Sequence, residues 1–200
     1  MLTVLFWNLR GYQESTWNSR KEKLSNHIKR IAQKENADLL IFAESAFIPD
    51  ELTTTLNHKS KSSYHYPESN SRRIQLYSRL PKTAVIDQFN DSSDGRLTIR
   101  RVKTTSQTEI LLAAIHFQSQ LFRTTDEQAL QATVLREDVM TVEEIVGHQR
   151  TILIGDLNMN PFDPGVVGAM TLNAVMEQHL ARSGERTVAG KSYRFFYNPM

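Results

Sequence analysis

The stretch 151–161, with the sequence TILIGDLNMNP, is an apolar run that stops at a glycine and then presents an acid and two amides. Its first four residues are β-branched or aliphatic, which suits a strand buried on both faces. Gly155 permits a close bend, and Pro161 ends the strand. Asp156 and Asn158 are two residues apart, so we expect their side chains on one face of the extended chain. Two interpretations stay open for this stretch: a functional site, or a turn organised by side-chain hydrogen bonds to the backbone.

Three other apolar runs also end in a polar side chain. In a layered β structure, strand ends on one side are neighbours, so these side chains are expected to converge with Asp156 and Asn158. Each of them alone has an ordinary explanation as a turn cap, an exposed loop acid or a partly buried histidine. Together they predict a site. They are Asn8 after the run 2–7, Glu44 after the run 39–43 and His116 after the run 111–115.

The residue types at these strand ends suit metal-assisted phosphate chemistry. Glu44 and Asp156 supply hard oxygen ligands of the kind that Mg²⁺ or Mn²⁺ prefers, and a small number of protein ligands leaves room for water and a substrate phosphate. His116 suits a phosphate-binding cation or a general acid. The chain has no cysteine, which excludes a disulfide framework and thiolate metal sites.

The composition indicates one globular domain over residues 1–200. Hydrophobic residues make up 40% of the chain, enough for one substantial core, and no linker rich in glycine, serine or proline divides it. The apolar start of the chain is too short for a membrane span and lacks the basic flank of a signal peptide. We therefore expect a cytoplasmic protein that does not bind a membrane.

Positive charge is concentrated in one segment, residues 57–82. The formal net charge is only +2, yet this segment holds one acid, Glu68, against six basic side chains. Such a segment attracts polyanions, although a solvated surface without a ligand is the more common outcome for a run of charge. The six side chains are Lys59, Lys61, Arg72, Arg73, Arg79 and Lys82.

The remaining pattern predicts sheets covered by amphipathic helices rather than a helical bundle. Apolar residues at helical spacing predict a helix over Arg20–Glu35, and a capping box at Thr124–Glu127 begins a second, long helix. A third helix is expected around Met170–Arg182, and Arg136 on the long helix is interpreted as a surface residue. The predicted strands lie at 2–7, 38–43, 74–78, 84–89, 96–103, 109–115, 151–154 and 193–197, with a turn at 90–95.

Five motifs, in this order, resemble those of the endonuclease/exonuclease/phosphatase superfamily, to which deoxyribonuclease I belongs. The motifs are FWNLR at 6–10, LIFAE at 40–44, LYSRLP at 76–81, AIHF at 114–117 and IGDLNMNP at 154–161. The resemblance extends from residue 2 to about residue 165. It implies an α+β fold, a four-layer αββα sandwich, and hydrolysis of phosphate esters by an activated water with a divalent metal, Mg²⁺ or Mn²⁺.

The resemblance also implies a role for each strand-end residue. Glu44 resembles the principal metal ligand of the family, and Asn8 beside it helps to hold the metal and its waters. Asp156 matches the acid that orients or deprotonates the attacking water, and Asn158 matches the amide that steadies this water and the phosphate. His116 corresponds to a histidine that contacts the scissile phosphate. Weaker candidates for phosphate contacts are Arg72, Arg73, Arg79 and Arg96.

The last motif of the family, a Ser-Asp-His that follows a further pair of strands, has no counterpart in residues 1–200. In the family its histidine is an acid or base partner for the phosphate, and its aspartate completes the metal site or orients a histidine. We therefore expect the C-terminal strands of one sheet to be missing. Three explanations stay open: truncation of a longer protein, completion of the sheet by a partner polypeptide or by self-association, or a scaffold kept for binding without catalysis.

As a whole, the sequence predicts a metal-dependent phosphodiesterase, and in particular a nuclease. The preference for nucleic acid follows from the basic segment and its nearby tyrosines, because phosphate contacts supply non-specific affinity and aromatic rings stack on bases. One alternative is a catalytically incomplete binding or regulatory subunit completed by another chain. Another is a hydrolase of small phosphate esters or lipid head groups, of which the lipid version is disfavoured because no membrane-seeking amphipathic segment is evident.

Overall fold

Two compact units make up the protein in its computed structural model. The first comprises residues 1–116 and 145–156, and the second comprises residues 117–144 and 157–200. The single domain inferred from composition stays a prediction. In the described residues, no helix is long and apolar enough to cross a membrane. The structure describes residues 1–12, 14–61, 63–67, 69, 71, 73–87, 95–104, 106, 108–119, 121 and 123–199.

Two β-sheets form the framework of the first unit. Their strands are β1 (Val4–Asn8), β2 (Leu39–Ala43), β3 (Ile74–Ser78), β4 (Val85–Asp87), β5 (Leu97–Lys103), β6 (Glu109–His116) and β7 (Thr151–Asp156). The first sheet has the order β1-β2-β3, with β1 parallel and β3 antiparallel to β2. The second sheet has the order β4-β5-β6-β7, in which only β6 and β7 are parallel. The carboxyl ends of β1 and β2 are thus neighbours, as are those of β6 and β7.

The two sheets pack face to face, and β2 lies at the centre of the packing. Leu39 and Ile41 share a buried apolar cluster with Leu112 of the second sheet. The alternate residues Leu40 and Phe42 belong to another cluster on the opposite face of the first sheet, as the two-residue period of a strand requires. Burial on both faces accounts for the uninterrupted apolar sequence of this strand.

Two helices, α1 (Glu14–Lys34) and α2 (Pro49–Asn57), accompany the first sheet. Ile28 of α1 and Leu52 of α2 share the buried cluster that contains Phe42. The first unit therefore consists of a helical layer and two sheets. A short 3-10 helix over Lys82–Ala84 precedes β4.

The second unit contains the long helix α3 (Thr125–Val146) except for its last two residues. The predicted capping box is confirmed: the Thr124 N–H donates to the Glu127 carboxylate at 2.8 Å, and the Glu127 N–H donates to Thr124 Oγ1 at 3.3 Å. The strands of this unit form an antiparallel pair, β9 with β10, and a parallel pair, β8 with β11. Its remaining elements are α4 (Pro164–Val167), β8 (Ala174–Val175), α5 (Gln178–Arg182), β9 (Glu185–Val188), β10 (Lys191–Arg194) and β11 (Phe196–Tyr197).

Several predicted elements differ from the structure. The helix expected around Met170–Arg182 is wrong over its first half, because Asn173 adopts a positive φ of 50° and donates its side-chain amide to two backbone carbonyls. Only Gln178–Arg182 is helical. The strand expected at 193–197 is divided at Phe195 into β10 and β11. The turn expected at 90–95 lies, except for its last residue, outside the described residues.

Arg136 is buried, so its interpretation as a surface residue is wrong. Only 7% of the residue is exposed. Its guanidinium donates hydrogen bonds to the carbonyl oxygens of Ala169 at 3.0 Å, Thr171 at 2.8 Å and Arg194 at 3.3 Å, and it lies 5.5 Å from the centre of the Tyr193 ring. A planar guanidinium satisfies several carbonyls at once, which explains how a charged side chain is accommodated on the buried side of a helix.

Replacing Arg136 with methionine should lower the free energy of unfolding by about 2–5 kcal/mol, because three carbonyl oxygens lose the guanidinium donor, although that of Arg194 still accepts from Asn173 Nδ2. Arg136→Lys should recover only part of this loss, since an ammonium group cannot reproduce the planar fork. Urea unfolding measures both effects. The exposed Arg182 is a matched control, and Arg182→Met should change the free energy by less than about 0.5 kcal/mol. Equal stability of the two methionine variants would contradict the assignment.

Gly155 in β7 lies where no side chain fits. A Cβ atom added at this position would be 2.0 Å from the carbonyl oxygen of Ile115 in the neighbouring strand β6. Gly147 is a useful contrast, because its φ is +74° but nothing lies within 4 Å of an added Cβ.

We expect Gly155→Ala to lower the free energy of unfolding by more than about 3 kcal/mol, because the backbone of β7 must move away from β6. Gly147→Ala should lower the free energy of unfolding by only about 1–2 kcal/mol, because alanine is strained in the left-handed conformation but meets no neighbouring atom there. Denaturant unfolding of both variants checks the difference. A Gly155→Ala variant as stable as Gly147→Ala would show that the close approach of the strands is not required.

Candidate functional site

The first unit brings four of the predicted site residues together. Asn8 ends β1, His116 ends β6 and Asp156 ends β7, while Glu44 directly follows β2. His116 and Asp156 are register partners in the parallel pair, and Asn8 is the register partner of the residue before Glu44. The parallel pairing within each sheet therefore places two of these side chains at the same edge.

The side-chain amide of Asn8 joins the two carboxylates. Its Nδ2 is 3.2 Å from Glu44 Oε1 and 3.0 Å from Asp156 Oδ2. Its Oδ1 accepts a hydrogen bond of 3.0 Å from the backbone N–H of Arg10, which fixes the orientation of the amide with its nitrogen toward the acids. One donor between two carboxylates offsets part of their mutual repulsion.

His116 extends this network as a neutral imidazole. Its Nε2 is 3.1 Å from Glu44 Oε1. Burial is the largest influence on the pKa of His116 and lowers it. Together with the charges of Arg96 and Arg73, burial outweighs the opposing influence of the Glu44 and Asp156 carboxylates. The neutral ring therefore carries its proton on Nε2 and donates to Glu44.

The backbone around Glu44 is held from both sides in an unusual conformation. Glu44 has a φ of 49°, which is uncommon for a residue with a long side chain. The Gly11 N–H donates to the Glu44 carbonyl oxygen at 2.6 Å, and the Glu44 N–H donates to the Arg73 carbonyl oxygen at 3.2 Å. A Cβ atom on Gly11 would lie 2.5 Å from the Glu44 carbonyl oxygen, so this approach requires glycine. Such over-determined backbone strain is typical of functional positions.

Two of the predicted arginines flank the acidic pair. Arg73 adjoins Glu44 through the backbone hydrogen bond described above. Arg96, which is 8% exposed, exchanges backbone and side-chain hydrogen bonds with His116: its carbonyl accepts from the His116 N–H at 2.9 Å, and its Nη1 donates to the His116 carbonyl at 3.2 Å. Both guanidinium groups are close enough to lower the pKa of His116.

Arg79 does not belong to this cluster. Its Nε donates to Asp38 Oδ1 at 3.0 Å, and Asp38 precedes the start of β2, whereas Glu44 follows its end. The ion pair thus lies at the opposite end of the sheet. Arg72, the remaining arginine among the candidates, lies outside the described residues.

Asn158 is held within the second unit. Its Nδ2 donates to the Phe117 carbonyl oxygen at 2.8 Å, its φ is 50°, and its own carbonyl oxygen accepts a hydrogen bond of 2.8 Å from Gln128 Nε2. Gln128, only 1% exposed, was missed by sequence reasoning. The signal was present, because Gln128 lies four residues before Ala132 on the apolar stripe of α3, where a polar side chain needs a partner.

The residues at the strand ends fit a hard divalent cation bound by few protein ligands. Within the described part of the chain, no group of three or more histidine, cysteine, aspartate or glutamate side chains is arranged to hold a metal ion. Glu44 and Asp156 nevertheless each direct one oxygen at the same amide nitrogen of Asn8. Mg²⁺ suits such a sparse set of oxygen ligands because it retains several waters and takes ligands from a substrate phosphate.

The family model described as "Endonuclease/Exonuclease/phosphatase family" matches residues 5–199. The chain belongs to this family. No curated protein sequence matches it. Among solved structures, a humanised variant of D. rerio TDP2 is 19% identical, with a TM-score of 0.54 over 84% of this chain and 66% of that one. An endonuclease/exonuclease/phosphatase family protein from Leptotrichia buccalis is 16% identical, with a TM-score of 0.54 over 80% of this chain and 67% of that one.

A third similar structure, D. rerio TDP2 complexed with a single-strand DNA product, is 20% identical, with a TM-score of 0.53 over 84% of this chain and 64% of that one. This chain thus spans about two thirds or less of the length of the TDP2 structures from D. rerio. The likeness confirms the predicted fold class, α+β with a deoxyribonuclease I-like arrangement. The sequence motifs resemble the family only as far as about residue 165. The family model continues beyond them and matches the chain up to residue 199.

Replacing Asn8 with aspartate should destabilise the protein by about 1–3 kcal/mol in EDTA, because a third carboxylate would replace the donor between the first two. Added Mg²⁺ should restore part of the loss by binding the acidic cluster. Thermal unfolding with and without Mg²⁺ measures both effects. The exposed Asn18 on α1 is the control, and Asn18→Asp should behave like the wild type. An Asn8→Asp variant with unchanged stability would contradict the bridging role of the amide.

Proposed function

We propose that this protein is a phosphodiesterase that requires a divalent cation, Mg²⁺ or Mn²⁺, and hydrolyses the phosphodiester bonds of nucleic acid. The observation that carries the proposal is the pair of carboxylates, Glu44 and Asp156, which share the Asn8 amide and are flanked by Arg73 and Arg96. An acidic pair beside positive charge provides both a base for water and neutralisation for a phosphate.

Each side chain has a distinct role in the proposed reaction. Glu44 would hold the cation, and Asn8 and His116 orient the Glu44 carboxylate through their hydrogen bonds. When bound there, a divalent cation would supply charge neutralisation at the phosphate and a lower pKa for a nearby water. Asp156 accepts the proton of the attacking water as its oxygen bonds to phosphorus. The bond from phosphorus to the leaving oxygen breaks, and this oxygen takes a proton from solvent.

The neighbouring residues act on the charge and position of the phosphate. Arg73 and Arg96 neutralise the negative charge that the transition state spreads over the phosphate oxygens. His116 remains a proposed phosphate contact as well as a partner of Glu44. Asn158 is proposed to steady the attacking water, with Phe117 and Gln128 fixing its amide and its backbone.

Nucleic acid is the proposed substrate for two reasons. D. rerio TDP2, which is similar in fold, has been solved in complex with a single-strand DNA product. In this chain, the basic segment 57–82 contains Arg73, whose backbone is hydrogen-bonded to that of Glu44. A polyanion attracted to the segment would thus be led to the acidic pair.

We expect the protein to nick supercoiled plasmid and to cleave single-stranded oligonucleotides in Mg²⁺ or Mn²⁺, and EDTA should stop both reactions. Glu44→Gln and Asp156→Asn should each reduce the rate by at least about 100-fold, because each removes a charge that acts on the transition state. The exposed Glu35 gives the matched control, and Glu35→Gln should retain full activity. Gel assays of nicking and circular dichroism of each variant measure rate and folding.

Three outcomes would contradict all or part of the proposal. Equal nicking by the wild type, Glu44→Gln and Asp156→Asn would remove the acidic pair from the reaction. Binding of oligonucleotide without hydrolysis in either metal would indicate a binding protein, the alternative from another class. Hydrolysis of small phosphate esters with no cleavage of nucleic acid would retain the chemistry and change the substrate.

A further inference from the structure

We infer that Tyr12 and Arg73 form a stacking surface for a nucleobase beside the reacting phosphate. The inference rests on the proposed function and names the part of the nucleic acid that the site recognises: one unpaired nucleotide, held by its base as well as by its phosphate. Tyr12 was not among the site residues that the sequence indicated.

The guanidinium of Arg73 lies over the face of the Tyr12 ring. Cζ of Arg73 lies 5.9 Å from the centre of the Tyr12 ring, within the range of a cation–π interaction. Tyr12 is nevertheless 44% exposed. A large aromatic side chain held by a guanidinium and still partly open to solvent has surface left for a planar ligand, as in proteins that bind single-stranded nucleic acid.

The backbone places this pair on both sides of Glu44. The residue before Tyr12, Gly11, donates its N–H to the Glu44 carbonyl oxygen, and the Glu44 N–H donates to the Arg73 carbonyl oxygen. Burial raises the pKa of the Tyr12 hydroxyl, and the charges of Arg73, Glu44 and then Arg96 also act on it, which agrees with a location beside the acidic cluster. A phosphate held at Glu44 would therefore have its own nucleoside within reach of the ring.

The chemistry of the pair favours a nucleobase over the other candidate ligands. Arg73 attracts phosphate, and the Tyr12 ring offers a π-face, so the pair matches the two parts of a nucleotide. A small phosphate ester without an aromatic group would leave the ring unused. A phosphocholine head group has a phosphate for Arg73, but its ammonium group would have to approach the Tyr12 ring beside the like charge of Arg73.

The same geometry favours single strands over duplexes. A base can stack on a side chain only after it has left the stack of its own strand, and this costs least where the base is unpaired. Every base has a π-face, so such a surface is expected to accept any of them. The site should therefore select unpaired nucleotides without selecting a sequence.

Binding of two labelled oligomers in EDTA tests the inference without hydrolysis: oligothymidylate, and an abasic oligomer with the same number of phosphates. Fluorescence anisotropy should give tighter binding of oligothymidylate by the wild type. Tyr12→Ala should weaken binding of oligothymidylate roughly 5- to 100-fold, the usual range for one lost stacking contact, and leave binding of the abasic oligomer unchanged. Tyr12→Phe keeps the ring and should behave like the wild type.

Two further variants separate stacking from charge and from general effects. Arg73→Gln should weaken binding of both oligomers and lower their dependence on salt, because it removes a phosphate contact. Tyr197 is similarly exposed, at 48%, and Tyr197→Ala should change neither affinity. Thermal unfolding of every variant establishes that it is folded.

The inference is overturned if folded Tyr12→Ala binds oligothymidylate as tightly as the wild type, or if it loses the same factor for both oligomers. Cleavage of oligothymidylate by the wild type in Mg²⁺ or Mn²⁺ distinguishes this failure from failure of the proposed function. Cleavage with no preference for bases refutes the stacking surface alone. A preference for bases that depends on Tyr12, without cleavage of oligothymidylate or plasmid in either metal, supports the surface and refutes the proposed hydrolysis.

Discussion

Two carboxylates that come from different sheets repel each other unless a donor or a cation lies between them. In the first unit this donor is the Asn8 amide, which binds Glu44 of the first sheet and Asp156 of the second. The amide is fixed in turn by the Arg10 backbone. The arrangement depends on two parallel strand pairs whose carboxyl ends meet at one edge, because only such pairs bring successive strand-end residues to the same place.

The close approach of the backbone around this pair explains two glycines that look unremarkable in the sequence. Gly155 allows β7 to lie against the Ile115 carbonyl in β6, and Gly11 allows the loop after β1 to lie against the Glu44 carbonyl. In each position a Cβ atom would push apart the segments that carry the acids. Glu44 has a positive φ, and hydrogen bonds from Gly11 and to Arg73 hold its backbone on both sides. These two contacts stabilise the strained conformation of Glu44.

The sequence predicted the strand ends because short apolar runs that stop at a polar residue are strong local signals. It could not distinguish Arg73 from Arg79, since the two lie six residues apart at opposite ends of β3, and only the antiparallel register shows that Arg79 pairs with Asp38. The stripe of buried residues on α3 does contain Gln128 and Arg136, but it does not reveal what they bind. Their partners are backbone carbonyls distant in sequence, which no local pattern identifies.

The charges near the acidic pair determine what can bind there. Burial favours the neutral form of His116, and among the described residues Arg73 and Arg96 are the permanent positive charges that act on it most. Two carboxylates repel a phosphodiester, so in the proposed reaction its approach depends on these guanidinium groups and on a cation at Glu44. Arg73 also lies over the Tyr12 ring, so in the proposed site the residue that neutralises the phosphate also contacts the aromatic surface. A ligand with both an anionic and a planar part therefore satisfies this neighbourhood more completely than a ligand with either part alone.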